Sequence, residues 1–141
     1  MKKRQDILVY VAGPLTGDVN ENVRNAMQVG TELLMEGIDV FIPHLNAFIE
    51  RFWEEEGYPQ AKTSDSDESW GYDEWLDYDF AILSRCDALF RMEGDSPGAD
   101  MEVAFAKGRG IPIFHSLFDL RGWVGRGKVK IVKGFNEADQ E

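Results

Sequence analysis

Cysteine is almost missing from this sequence, with Cys86 alone. No internal disulfide can form, and a reducing compartment is expected. Histidine is nearly as scarce. His44 and His115 are the only two, and neither sits in a Cys/His cluster of metal-ligand spacing. Basic residues are in the minority: 15 Lys+Arg stand against 26 Asp+Glu, a formal charge of −11. That balance opposes unspecific binding to DNA, RNA or anionic membranes, because phosphate affinity rests mainly on Lys and Arg. No apolar run approaches the roughly 20 residues of a membrane helix. Met1–Arg4 is basic and Ile7–Ala12 apolar, but Gly13-Pro14 ends that run too early for a signal peptide. A cytoplasmic protein is expected. There is no G-x-G-x-x-G after the first apolar run and no G-x-x-x-x-G-K-[ST] anywhere, which disfavours a dinucleotide dehydrogenase or a P-loop NTPase.

What is present is enough for a core. The chain has 141 residues, 43% of them hydrophobic, the size of one domain. No internal repeat or boundary divides 1–141. Ile7–Ala12 is a continuous β-rich run, suited to a strand buried on both faces of a parallel sheet. After Gly13–Gly17, a helix is expected from about Asn20 to Met35, with Val23, Met27, Gly30 and Leu34 on one stripe. Gly37 fits its C-terminal cap. A second strand covers Ile38–Ile42. Asn46–Glu56 reads as a short helix and Gly57–Gly71 as a loop, whose length suggests a mobile flap. Then follow a helix Tyr72–Ser84, a strand Cys86–Arg91, a helix Pro97–Gly108 and a strand Ile111–His115. Lys128–Val132 alternates like an edge strand. The pattern predicts an α/β fold, flavodoxin-like and Rossmann-type, with three layers around a central parallel sheet of four to five strands.

Two carboxylates break the polar-out rule. Asp79 has Trp75, Leu76, Ile82 and Leu83 as its helical neighbours, so it faces the interior. Glu102 has Gly98, Ala99, Phe105 and Ala106, one turn into a helix with Ser96 as N-cap and Pro97 first. Each also has an ordinary structural explanation. Asp79 could anchor a loop, and a first-turn Glu could merely complement the helix dipole. That dipole should hold Glu102 ionised, as a nucleophile at a sugar carbon must be. Ligands in open α/β sheets sit beyond the C-terminal strand ends. Gly13 and Pro14, His44 and Asn46, and the loop from Glu93 through Ser96, Gly98 and Ala99 all lie on that rim. The helix start at Ser96–Ala99 offers N–H groups to a phosphate or sugar hydroxyl. The acidic run Asp65–Glu68 reads as solvated. Cys86 reads as a small core residue. Trp53, Trp70 and Trp75 could stack a base, though core packing is the commoner use of such residues.

These residues resemble the nucleoside 2-deoxyribosyltransferase superfamily, in particular its small branch often carried by phages and prophages. The resemblance runs over about residues 7–115. It rests on Val9-Tyr10-Val11-Ala12-Gly13-Pro14, on Asp79 and Asp87, on Ser96-x-Gly98-Ala99-x-x-Glu102 with Ala106, and on Gly110-Ile111-Pro112. It implies that Glu102 attacks the anomeric carbon to form a covalent glycosyl-enzyme. It implies that Asp79 contacts the sugar or assists departure of the base, with Tyr10 and Gly13 on the pocket wall. Ser96 stands where the related 5′-monophosphate glycosidases have Ser beside the phosphate. A homo-oligomer is implied as well, with Asn136 the candidate for a residue reaching a neighbouring subunit.

The expected activity is N-glycosidic bond cleavage or 2-deoxyribosyl transfer on a nucleoside or its 5′-monophosphate. Catalytic residues are Glu102 and Asp79. Tyr10, Gly13, Pro14, His44, Asn46, Ser96, Gly98 and Ala99 bind substrate. No metal or redox cofactor is required, and no polymeric nucleic acid or membrane is expected as partner. The alternatives are a non-catalytic nucleotide-binding module, acting as sensor or sponge, and an NAD glycohydrolase.

Overall fold

The computed structural model describes residues 3–127. Four strands, β1 (Leu8–Ala12), β2 (Asp39–Phe41), β3 (Ala88–Arg91) and β4 (Ile113–Phe114), form one sheet in the order β2-β1-β3-β4. Every pairing is parallel, with Val9 opposite both Val40 and Ala88, and Leu89 opposite Ile113. This is the expected α/β architecture with flavodoxin-like strand order. The expected edge strand at Lys128–Val132, like Asn136, lies outside the described residues.

Alternation within β1 explains why both faces are covered. Val9 joins Ile7, Leu33, Ile38, Phe90, Leu120 and Trp123 in one cluster. Tyr10 and Ala12 point the other way, into a cluster with Leu83, Leu89, Ala99 and Ala106. Helices α1 (Val19–Met35) and α5 (Leu117–Gly125) therefore pack on the first face, and α3 (Tyr72–Leu83) and α4 (Pro97–Gly108) on the second. Asp18 caps α1 by accepting the Glu21 N–H at 3.1 Å, and Gly37 leaves the helix at φ +84°.

The strands are shorter than the apolar runs that announce them. Asp87 explains one boundary: its Oδ2 takes the Leu8 N–H at 2.8 Å, so a side chain fills a place the ladder would use. Helix α5 is not anticipated by periodicity, because Gly122 and Gly125 dilute it. Its start is still written in sequence, since Ser116 Oγ accepts the Asp119 N–H at 3.1 Å.

Helix α2 (Asn46–Glu56) has the expected bounds, but none of its residues is fully buried. The segment 57–71 forms neither helix nor strand. Most of it is exposed, but it is tied to the flanking helices at Ala61, which is buried, and at Trp70. Trp53 stacks on Trp75 at 5.6 Å, and Trp70 meets both edge-on at 6.0 and 5.7 Å. Trp75 Nε1 donates to Glu50 at 2.5 Å, and Lys62 from the segment pairs with the same carboxylate at 3.3 Å. The three tryptophans thus serve as a local core joining α2, the segment and α3.

Candidate active site

Strand order reverses beside β1: the chain leaves β1 for β2 on one side and later enters β3 on the other. The C-terminal ends of β1 and β3 therefore flank the topological switch point, the usual ligand position in such sheets. The two loops there are interlocked. A Cβ on Gly13 would come within 2.9 Å of Met92 Cβ, and one on Gly94 within 2.7 Å of Pro14 Cγ. Only glycine permits this approach, and at Gly94 the φ of +114° demands it as well.

Below this rim lies the candidate pair. Tyr10, fully buried on β1, donates its hydroxyl to Glu102 Oε2 on α4. Glu102 is 6% exposed. Burial pushes its pKa up to about 7; the Tyr10 hydrogen bond pulls the other way, the Asp79 charge adds to the rise, and Arg91 opposes it. Burial thus works against the firmly ionised Glu102 expected from its place near the helix start. Tyr10 itself is held protonated, first by burial and then by the two carboxylates. Asp79, half-buried on α3, is also pushed up to about 7 by burial, against the Asn46 hydrogen bond. Asn46, the first residue of α2, donates its amide to Asp79 Oδ1 at 2.9 Å. Four of the anticipated residues from four elements thus converge electrostatically, with two carboxyls poised near neutrality.

The other anticipated residues frame this group. His44 is buried on a short 3-10 turn, Pro43–Leu45, with its Nε2 3.0 Å from the Pro14 carbonyl. Burial lowers its pKa more than the Pro14 and Gly13 carbonyls raise it, so the ring is neutral and Nε2–H donates. It holds the β1 turn from behind. Ser96 caps α4, its Oγ accepting the Ala99 N–H at 3.1 Å. Pro97 has no N–H, so this helix start has fewer free donors than its sequence suggests. Gly98 lies against the Tyr72 ring, whose hydroxyl is 3.5 Å from where a Cβ would stand.

Arg91 is the residue that sequence reading passes over. Its side chain is 10% exposed and reaches the carbonyls of Met92 and Gly94, the latter at 3.0 Å, and Asp100 at 3.0 Å. It ties the β3 loop to α4 and places a cation near Glu102. The available signal was an arginine closing the apolar strand Ala88-Leu89-Phe90. Cys86 is buried, and its thiol is pushed up to about 12 by burial, in keeping with an inert core residue. Among the described residues, no three His, Cys, Asp or Glu side chains gather as metal ligands, and no helix is long and apolar enough to cross a membrane. A groove of about 240 Å³ lies between α1 and α2, and a cleft of about 400 Å³ beside Arg91, Gly94 and His115. Neither is lined by Asp79 or Glu102.

No curated protein sequence matches the chain. Among solved structures, a 2-deoxyribosyltransferase from the psychrotolerant bacterium Bacillus psychrosaccharolyticus, described as a biocatalyst for nucleoside synthesis, is similar at 19% identity. The match covers 81% of this chain and 78% of that one, with a TM-score of 0.48. The family model for DUF4406, a domain of unknown function, matches residues 7–115, the same span that carries the sequence resemblance. The chain belongs to the DUF4406 family.

Proposed function

We propose that this protein cleaves the N-glycosidic bond of a nucleoside or nucleoside 5′-monophosphate, or transfers its 2-deoxyribosyl group, with Glu102 as nucleophile. The observation that carries this reading is the buried contact of Tyr10 with one oxygen of Glu102, with Asp79 close enough to perturb both. The phenol restrains Oε2 and leaves Oε1 as the attacking atom. As Oε1 bonds to the anomeric carbon, the bond to the base breaks and its electron pair goes to the base nitrogen. Asp79, protonated at or below pH 7, is suited to give that nitrogen a proton. Water, or a second base, then attacks the anomeric carbon and releases Glu102. Oxocarbenium character in both steps is stabilised by the ionised carboxylate.

Two carboxyls that burial pushes up to about 7 can supply the two roles together. The proposed roles call for Glu102 ionised and Asp79 protonated in the reacting state. Incubation with a panel of nucleosides, nucleoside monophosphates and NAD, followed by chromatography for free base, tests the reading. Wild type should release base, and Glu102→Ala should release none while keeping its circular dichroism spectrum. Equal release by both would remove Glu102 as nucleophile.

The second reading, a nucleotide-binding module without turnover, draws on the near-complete burial of Glu102. It calls for calorimetric binding of the same panel with no base released.

A further inference from the structure

We propose that Arg91 is a positioning residue for the candidate site: one guanidinium clamps the loop after β3 onto α4, the helix that carries Glu102, and supplies the positive charge near that carboxylate. This deepens the reading of Glu102 as nucleophile and rests on that reading for its rate measurements alone.

Alternation along β3 places the side chain. Ala88 and Phe90 share the cluster of Val9, whereas Leu89 belongs to that of Tyr10 and Ala12. Two residues beyond Leu89, Arg91 falls on the Tyr10 face, opposite Ala12 in the ladder. A strand buried on both faces thus ends with a charge turned toward α4. A guanidinium only 10% exposed has to find acceptors there. Nη1 donates to the Met92 carbonyl, and Nη2 donates to the Gly94 carbonyl and to Asp100 Oδ1, both at 3.0 Å. The Asp100 side chain is 71% exposed, so the ion pair itself contributes little. The hold on the loop comes from the two carbonyls, and the hold on α4 from Asp100.

That loop is what the β1 turn rests on. Gly13 packs against Met92, and Pro14 against Gly94. The Pro14 carbonyl in turn accepts from His44. A loop released from Arg91 would therefore loosen the β1 turn as well. The titratable and charged groups acting on Glu102 are Tyr10 from β1, Asp79 from α3 and Arg91 from β3. Only Arg91 among them is positive, and it opposes the rise that burial and Asp79 impose. A lysine at this position would keep a point charge but lose the planar fork that spans three acceptors.

Arg91→Lys and Arg91→Gln separate the two duties, read by carbon-13 NMR of the glutamate side chains and by base release. The Glu102 resonance is the one missing from Glu102→Gln. In Arg91→Gln it should titrate at higher pH than in wild type, because the opposing charge is gone. In Arg91→Lys it should stay near the wild-type value of about 7. Both variants should lose roughly tenfold or more in kcat, with KM changed less, because a misplaced carboxylate slows the chemical step. A merely structural arginine would lower the melting temperature of both variants and leave the Glu102 titration where it was, which overturns the proposal. Wild-type kcat in Arg91→Lys overturns the clamp, even if Arg91→Gln does not fold. A wild type that releases no base would fail the catalytic reading alone, and the titrations would then decide the role of Arg91.

Discussion

Tyr10 and Glu102 face each other across the boundary between sheet and helix layer, the phenol of one donating to the carboxylate of the other. Tyr10 reaches there because β1 alternates, sending Val9 to one core and Tyr10 to the other. Glu102 reaches there because it lies one turn into α4, between the buried Ala99 and Ala106. The contact gives a buried carboxylate one fixed oxygen and one free oxygen. That asymmetry is what a nucleophile that must be aimed requires.

Removing the phenol tests the aim. Tyr10→Phe keeps the ring and its packing against Phe41, whose centroid is 5.5 Å away. The loss of one hydrogen bond to a charged group should slow base release roughly 10- to 100-fold. Because that bond lowers the Glu102 pKa, the acid limb of the rate profile should move to higher pH. An unmoved limb would show that Tyr10 does not hold the reacting carboxylate.

Asn46→Ala removes a hydrogen bond that favours ionised Asp79. The carboxyl should then titrate above its present value of about 7. Carbon-13 NMR of the aspartate side chains across a pH series reads this directly. A titration that stays put, or falls, would mean that Asn46 does not bond Asp79 in solution.

Stability should fall as the two carboxyls lose their protons. Glu102 moves from 4.5 when free to about 7 when folded, and Asp79 from 3.8 to about 7. Between these limits the folded state binds more protons than the unfolded state. Their contribution is therefore fully present below about pH 4 and is lost as pH rises through about 7. Glu102→Gln should match wild type in acid and exceed it above neutrality by roughly 1–3 kcal/mol. Urea unfolding at several pH values measures the difference. Two parallel profiles would contradict the burial cost assigned to Glu102.

Ser96 has two separable duties. Its hydroxyl caps α4 through the Ala99 N–H, so Ser96→Ala should cost about 1 kcal/mol of stability. Ser96→Asp keeps a capping oxygen but adds a negative charge. If the hydroxyl also donates to a 5′-phosphate, the Asp variant should lose preference for monophosphate over nucleoside by about tenfold or more, with its melting temperature little changed. An unchanged preference would leave Ser96 as a cap and nothing further.

Much of this was legible before any coordinates. The apolar run ending at Gly13-Pro14, the spacing of α1 and the Ser96-Pro97 start of α4 each encode their own local structure. A doubly covered parallel strand has to be apolar throughout, and a helix N-terminus needs its orphan N–H groups capped. Asp79 and Glu102 stood out for the same kind of reason, as charges amid apolar neighbours on a helix whose period is known.

What local sequence could not decide was who meets whom and at what cost. That Asn46 bonds Asp79, that His44 lies behind Pro14, and that Arg91 bridges β3 and α4 depend on elements brought together only by the sheet order β2-β1-β3-β4. Helix α5 escaped because its glycines mask the period, and its place came from packing Leu120 and Trp123 on the far sheet face. The raised pKa of Glu102 illustrates the limit. Sequence supplies the helix dipole, a local field that favours charge. Only the folded chain removes the water, and desolvation, a property of everything packed around the carboxyl, pushes its pKa up to about 7.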